Sequence, residues 1–338
     1  MSDFSIGVDL GGTNLRIAAV NRDGRLLEKI TLGTKVGEGP NQVISDMCDA
    51  IQRLTAQHGS DGKLIGAGIG CPGLIDMEAG TVRKSANLPG WADYPVQKEI
   101  ERRLGIPIFL ENDARAAALG EKWFGAGRDV ENMVMITLGT GIGGGIILGG
   151  KIFHGMNGMA GEFGHVTVEP EGVPCGCGNR GCAERYASAT ALVRMAKEAI
   201  ATGQAPRLAQ ASKGESEFSA RTIYELAAQG DEPSQRIFQR FGRALGILLA
   251  DLVNVLNLDM YVIGGGVVSG WDVFAPAMFQ EMCERSIVYA ATAPAEIPAR
   301  GVGAAANIVT RTRRSTIVTK ALLGSDAGLF GAARLPVR

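Results

Sequence analysis

Four side chains, His165, Cys175, Cys177 and Cys182, stand in the pattern H-x9-C-x-C-x4-C. They form a complete Cys3His set, which zinc takes tetrahedrally, and a filled shell marks a structural rather than a catalytic ion. Glycine and proline between them let the chain fold round one ion. The alternative is three ordinary cysteines in a glycine-rich loop, but without a signal peptide such a cluster favours metal over disulfides. Glu162 lies three residues before His165, and Glu184 two after Cys182. A lone Glu is usually a solvated surface acid. Beside one rigid knot, this pair fits polyol recognition, since sugars need carboxylate and amide acceptors held in place.

A second kind of chemistry is written in the glycine turns. Gly11–Gly12, Gly139–Gly141 and Gly264–Gly266 each follow an apolar stretch. One such turn would be only a tight hairpin; three favour a shared ligand, with backbone N–H groups cradling phosphate as a nest. Asp9 and Thr13 flank the first turn, and a carboxylate beside such a nest suits magnesium, which prefers oxygen ligands. Two more familiar labels fail on the run GTGIGGGIILGGKIF. A dinucleotide fingerprint needs a helix straight after its glycines, whereas GIILGGKIF is strand-like; a nucleoside-triphosphate P-loop needs Ser or Thr where Ile152 stands.

The third candidate is Asn112–Asp113, which closes the strand IPIFLEN and opens the helix ARAAALGE. Asp113 is either the helix N-cap or a general base at the carboxyl end of a strand, where ligands of α/β sheets gather. Asn87, in SANLPGW, is a further amide beside a Pro-Gly turn.

The elements that must position these residues read as strands, turns and helices in regular alternation. FSIGVDL, LRIAAV and RLLEKITL are strands, and NQVISDMCDAIQRLTAQ has helical spacing. The first third then runs β-β-β-α-β-α-β-α. NMVMITLG, the glycine turn and GIILGG repeat the opening order, and IGGGV after MYVI points to a third copy of a β-glycine turn-β unit, a sign of internal duplication. Residues 186–257 read as mostly helical, and the Ala-rich stretch 286–305 has no clear pattern.

The 338 residues allow two domains with a large buried core. Hydrophobic residues at 46 % and charged residues at 20 % describe a globular chain, and a net charge of −1 offers no basic face for nucleic acid. MSDFSIGVDLGG carries no secretory pattern, and no stretch approaches the roughly 18 apolar residues of a membrane span. A cytoplasmic protein is expected.

Together these residues resemble the ROK family of sugar kinases, repressors and open reading frames. The resemblance rests on DLGGTN at 9–14, LGTGIGGG at 138–145, EFGH at 162–165, CGCGNRGCAE at 175–184 and LGSDAGLFGAA at 323–333. It implies an α/β, actin/hexokinase-like fold of two RNase H-like lobes, with ATP and sugar in the cleft between them. The small lobe is expected over 1–115 plus about 323–338, and the large lobe, with the zinc knot, over 116–322. By the same resemblance Asp9, Gly11, Gly12, Thr13, Thr140 and Gly141 hold phosphates and Mg2+, and Gly265 lies near the adenosine. Asn87, Asn112, Glu162, His165 and Glu184 bind sugar hydroxyls, and Asp113 is the base for the 6-hydroxyl of a hexose. Zn2+ is structural, held by His165, Cys175, Cys177 and Cys182. CAERYASATALVR and NDARAAALGE are most similar to bacterial glucokinases, and N-acetylmannosamine or N-acetylglucosamine kinases are the alternative. The family's repressors carry a winged-helix domain before the first glycine turn; only five residues precede Ile6, so DNA binding is not expected. A non-catalytic sugar sensor lacks support while Asp113 is intact. A homodimer or homotetramer is implied by family likeness alone.

Overall fold

The computed structural model describes residues 3–60, 62–85, 87–214, 218–294 and 314–337. The chain forms two compact units. The first comprises residues 1–135, 144–161 and 321–338, and the second 136–143 and 162–320.

In the first unit, β1 (Phe4–Leu10), β2 (Asn14–Asn21) and β3 (Leu26–Gly33) make an antiparallel meander; β4 (Leu64–Cys71) and β7 (Ile108–Asn112) extend it in parallel, in the order β3-β2-β1-β4-β7. Parallel neighbours require crossovers, which α1 (Pro40–His58) and α2 (Val96–Leu104) supply. The expected order of the first third is present, with one addition. A small hairpin, β5 (Leu74–Asp76) with β6 (Thr81–Lys84), precedes α2. Its strands are too short for alternation to show in the sequence.

One core gathers Ile6, Val8 and Ile69 of the sheet with Ile44, Met47 and Ile51 of α1. A smaller cluster pairs Ala18 and Val20 with Leu329 and Ala333 of α10 (Ala327–Arg334). This helix packs against α3 (Asp113–Trp123) so closely that a Cβ on Gly331 would lie 1.6 Å from the Ala116 carbonyl oxygen.

The second sheet has the order β10-β9-β8-β11-β12: β8 (Met133–Leu138), β9 (Ile142–Leu148), β10 (Lys151–Ile152), β11 (Met260–Gly264) and β12 (Ile317–Lys320). GIIL is thus strand and Gly149–Gly150 the turn into β10, with no helix after the glycines, which agrees with the failure of the dinucleotide label. The helices of the second unit are α4 (Ala189–Ala201), α5 (Pro206–Ala211), α6 (Ala220–Ala228), α7 (Glu232–Leu256), α8 (Trp271–Arg285) and α9 (Ile287–Thr292).

The third glycine turn departs from the expected repeat. It leads not into a strand but through a 3-10 turn, Gly266–Gly270, into α8. The reason is topological: β11 pairs in parallel with β12, so a crossover must follow it. Of the unpatterned stretch 286–305, residues up to Thr292 form α9; 295–313 lie outside the described residues.

Candidate functional site

In the first unit, β7 ends and α3 begins at Asn112–Asp113. The cap of this helix is Asn112, not Asp113. Asn112 has extended backbone, and its Oδ1 accepts from the N–H groups of Ala114 and Arg115 at 3.0 and 3.2 Å. Its Nδ2 donates to the Gly73 carbonyl at 3.2 Å, which fixes the amide from both sides. Asp113 is the first helical residue, and its Oδ1 accepts from the Ala114 N–H at 2.9 Å. Burial pushes the Asp113 carboxyl up to about 6; the Ala114 N–H opposes the shift, and the nearby Asp9 charge adds to it. Such a group is ionised at neutral pH yet more basic than an ordinary aspartate.

Asp9, the penultimate residue of β1, stands directly opposite Arg16 on β2, and the two form an ion pair at 2.7 Å. Burial raises the Asp9 carboxyl, against the pull of Arg16. The turn that follows is closed by Gly11 N–H to the Asn14 carbonyl at 2.9 Å, and Thr34 Oγ1 donates to the Gly11 carbonyl at 2.7 Å. Gly12 sits against Asn87: an added Cβ would be 3.1 Å from the Asn87 carbonyl oxygen. The first unit therefore brings Asp9, Gly11, Gly12, Thr13 and Asn87 to one place, with Asp113 near enough to feel Asp9.

In the second unit the ligand atoms of His165, Cys175, Cys177 and Cys182 all lie within 4.8 Å of one another. His165 Nδ1 is 3.7 Å from Cys175 Sγ, and the Cys177 and Cys182 sulfurs are 3.7 Å apart. Zn–S bonds of about 2.3 Å in a tetrahedron require sulfurs about 3.8 Å apart, so the donor set fits zinc in number, type and spacing. The loop is pinned by Cys175 N–H to the Asn179 carbonyl at 2.8 Å and by bridges of Thr167 with Cys182 and Pro174 with Arg180. Burial pushes the Cys182 thiol up to about 12, whereas a backbone hydrogen bond at Asn179 lowers that of the exposed Cys177.

Glu162 precedes the short turn Phe163–His165, and both Glu162 and His165 are exposed. Gly164 packs against Glu184, so the two acids are held on adjoining turns. Glu184 has a second attachment: its Oε2 accepts from the Ile142 N–H at 2.9 Å and braces the glycine turn at Gly141. Gly139 N–H donates to the Gly141 carbonyl at 3.0 Å. Two N–H groups of the turn, at Gly139 and Ile142, are therefore engaged within the protein rather than offered to a ligand as a bare hairpin tip would offer them. Thr140 is held by its carbonyl, which accepts from Thr190 Oγ1 at 2.7 Å. Gly265, at φ 90°, approaches the end of β8, where a Cβ would be 2.3 Å from the Leu138 carbonyl oxygen. The second and third glycine turns thus meet.

The sequence reading missed a cluster next to Asp113. Glu111, 1 % exposed, receives Arg115 Nε at 2.7 Å and meets His154 Nε2 at 2.6 Å. Burial alone would raise its carboxyl; the His154 and Arg115 contacts outweigh burial and hold it below the usual range. The i,i+4 spacing of Glu111 and Arg115 was the only signal, and on a helix it ordinarily means a solvated pair. Nothing in the sequence joined His154 to them.

The model of the ROK family matches residues 5–337. A glucokinase of Halalkalibacterium halodurans is 37 % identical over 338 residues, covering 99 % of this chain and 96 % of that one. A glucokinase of Thermotoga maritima is 40 % identical over 272 residues, covering 80 % and 84 %. Among solved structures, a ROK family glucokinase from Streptomyces griseus in complex with glucose and AMPPNP is 35 % identical, with a TM-score of 0.75 and 98 % of both chains covered.

Proposed function

The chain belongs to the ROK family, and from that premise we propose that it is an ATP-dependent hexose kinase acting on the 6-hydroxyl of glucose, with Asp113 as general base. The observation that carries this is the Asp113 carboxyl, held at about 6 on the first turn of α3 beside the capping amide of Asn112. The similarity to glucokinases, one of them bound to glucose and an ATP analogue, supports the choice of substrates.

In this scheme Asn87, Asn112, Glu162, His165 and Glu184 take the sugar hydroxyls. Glu184 braces the glycine turn with one oxygen and receives a hydroxyl with the other. Asp113 accepts the proton of the 6-hydroxyl as that oxygen bonds to the γ-phosphorus, and the bond to the bridging oxygen breaks to release ADP. In-line positioning and a nearby base are what phosphoryl transfer demands of a protein. Gly11, Gly12, Thr13, Thr140 and Gly141 hold the phosphates, and Gly265 lies by the adenosine. Asp9 offers the hard oxygen donors that Mg2+ prefers, and the ion, when bound, neutralises charge on the phosphates. His165, Cys175, Cys177 and Cys182 hold a structural zinc that locks the loop bearing the sugar ligands. The protein works in the cytoplasm as a homodimer or homotetramer.

The test is ATP-dependent phosphorylation, with magnesium, of glucose, mannose, fructose, N-acetylmannosamine and N-acetylglucosamine. Preference for glucose is expected. Preference for an N-acetylated sugar would keep the mechanism and change the substrate. Tight binding without turnover on any sugar would make the protein a sensor.

A further inference from the structure

Glu111 directly precedes the Asn112–Asp113 pair, and its buried carboxylate is shared three ways. Oε1 accepts from Arg115 Nε at 2.7 Å and from the Asn112 N–H at 2.8 Å, while Oε2 meets His154 Nε2 at 2.6 Å. Arg115, 3 % exposed, also reaches the Ala160 carbonyl at 3.4 Å. His154 and Ala160 are the two ends of one loop, and Ala160 N–H closes it on the His154 carbonyl at 3.1 Å. The loop therefore hangs from two points, both tied to the same carboxylate. Two residues past Ala160 the chain reaches Glu162.

Fold stability alone does not account for this arrangement. A buried carboxylate–guanidinium pair costs desolvation that apolar residues of equal volume would avoid. What hydrogen-bonded charges add is fixed direction. The His154 side chain is 39 % exposed, so its bond to Glu111 orients the loop rather than burying it.

We propose that His154 is a positioning residue for the hexose: through Glu111 and Arg115 it sets the segment leading into Glu162 against the strand end that carries Asn112 and Asp113. This rests on the hexose-kinase assignment above. Among the described residues, the hydrogen bonds of this network run to Asn112, Arg115, His154 and Ala160 and not to the glycine turns assigned to nucleotide, so its loss is felt on the acceptor side.

The test compares wild type, His154→Ala and His154→Gln in steady-state kinetics, with KM measured separately for hexose and ATP, alongside thermal melting. Gln carries an amide nitrogen at the reach of Nε2 and can donate to Glu111. His154→Ala is expected to raise the hexose KM by about ten- to a hundredfold, the scale of a misplaced reactant. ATP KM and melting should stay near wild type, ATP hydrolysis per hexose phosphorylated should rise, and His154→Gln should recover most of the loss. The inference is overturned if both KM values move together, if activity falls only in step with melting, or if Gln does no better than Ala. Normal wild-type turnover with an indifferent His154→Ala would sink this inference alone. A wild type that phosphorylates no hexose would sink the kinase assignment and this inference with it.

Discussion

A carboxyl near 6 makes Asp113 useful as a base and expensive as a bystander. General-base catalysis is worth roughly 10²–10⁴-fold, so Asp113→Asn should lower kcat by about that factor. In wild type, kcat/KM should fall as pH drops through about 6, because the protonated carboxyl cannot accept the hydroxyl's proton; the residual activity of Asp113→Asn should lack this limb. A pH-rate profile without the limb in wild type would remove Asp113 from the role. Stability carries the opposite sign. A carboxyl raised above its ordinary 3.8 holds its proton more tightly in the folded state, so its stabilising contribution is full below 3.8 and lost as pH rises through about 6. Asp113→Asn should therefore melt at or above wild type at pH 8, with the difference vanishing toward pH 4. Because Asn112 is the cap, the helix start survives the substitution. Residue type and spacing revealed Asn112–Asp113 and the Cys3His set in the sequence. They did not reveal which residue caps, since that depends on backbone angles, nor the raised carboxyl, since that depends first on burial in the folded chain and only then on Asp9 on another strand.

Elements hold these residues through a few contacts that tolerate little change. Removing Arg115 leaves the Glu111 carboxylate buried without its guanidinium, and breaking such a pair costs about 3–5 kcal/mol. Arg115→Ala should lose that much in denaturant unfolding, well beyond any effect of His154→Ala, whose side chain is partly solvated. Gly331→Ala tests the contact of α10 with α3. With the Ala116 carbonyl 1.6 Å from the new Cβ, the helices must part, and overpacking of this kind costs about 1–3 kcal/mol or more. An unchanged unfolding midpoint would mean the contact is looser than the structure shows. The long, strongly patterned elements, β1 to β4, α1 and α7, were legible because their apolar period is unambiguous. The hairpin β5–β6 was not, because three or four residues carry no period. The turn after β11 was misread because glycine permits a hairpin and a helix start alike; only the parallel partner β12, far along the chain, decides between them.

At the scale of the whole molecule, the residues assigned to hexose in the second unit and those assigned to nucleotide in the first depend on different supports. His165 belongs to the proposed Cys3His zinc shell, and Glu162 and Glu184 lie on the turns adjoining it. Asp9 and Gly11–Thr13 stand on the sheet of the first unit, held by Arg16 and Thr34, with no part in the metal shell. Ligand that binds only the folded state at a hundred times its dissociation constant stabilises it by about 2.7 kcal/mol, which melting reports as a rise of a few degrees. Wild type should show that rise with glucose and again with magnesium and a non-hydrolysable ATP analogue. Cys177→Ser should lose about one equivalent of zinc and the glucose-induced rise, because metal binding and loop folding are one equilibrium. The nucleotide-induced rise should survive for the greater part, reduced only as far as Glu184 relaxes its hold on the turn at Gly141. Loss of both rises together would mean that the zinc loop supports the whole molecule, and loss of neither, with the metal gone, would separate zinc from sugar binding altogether.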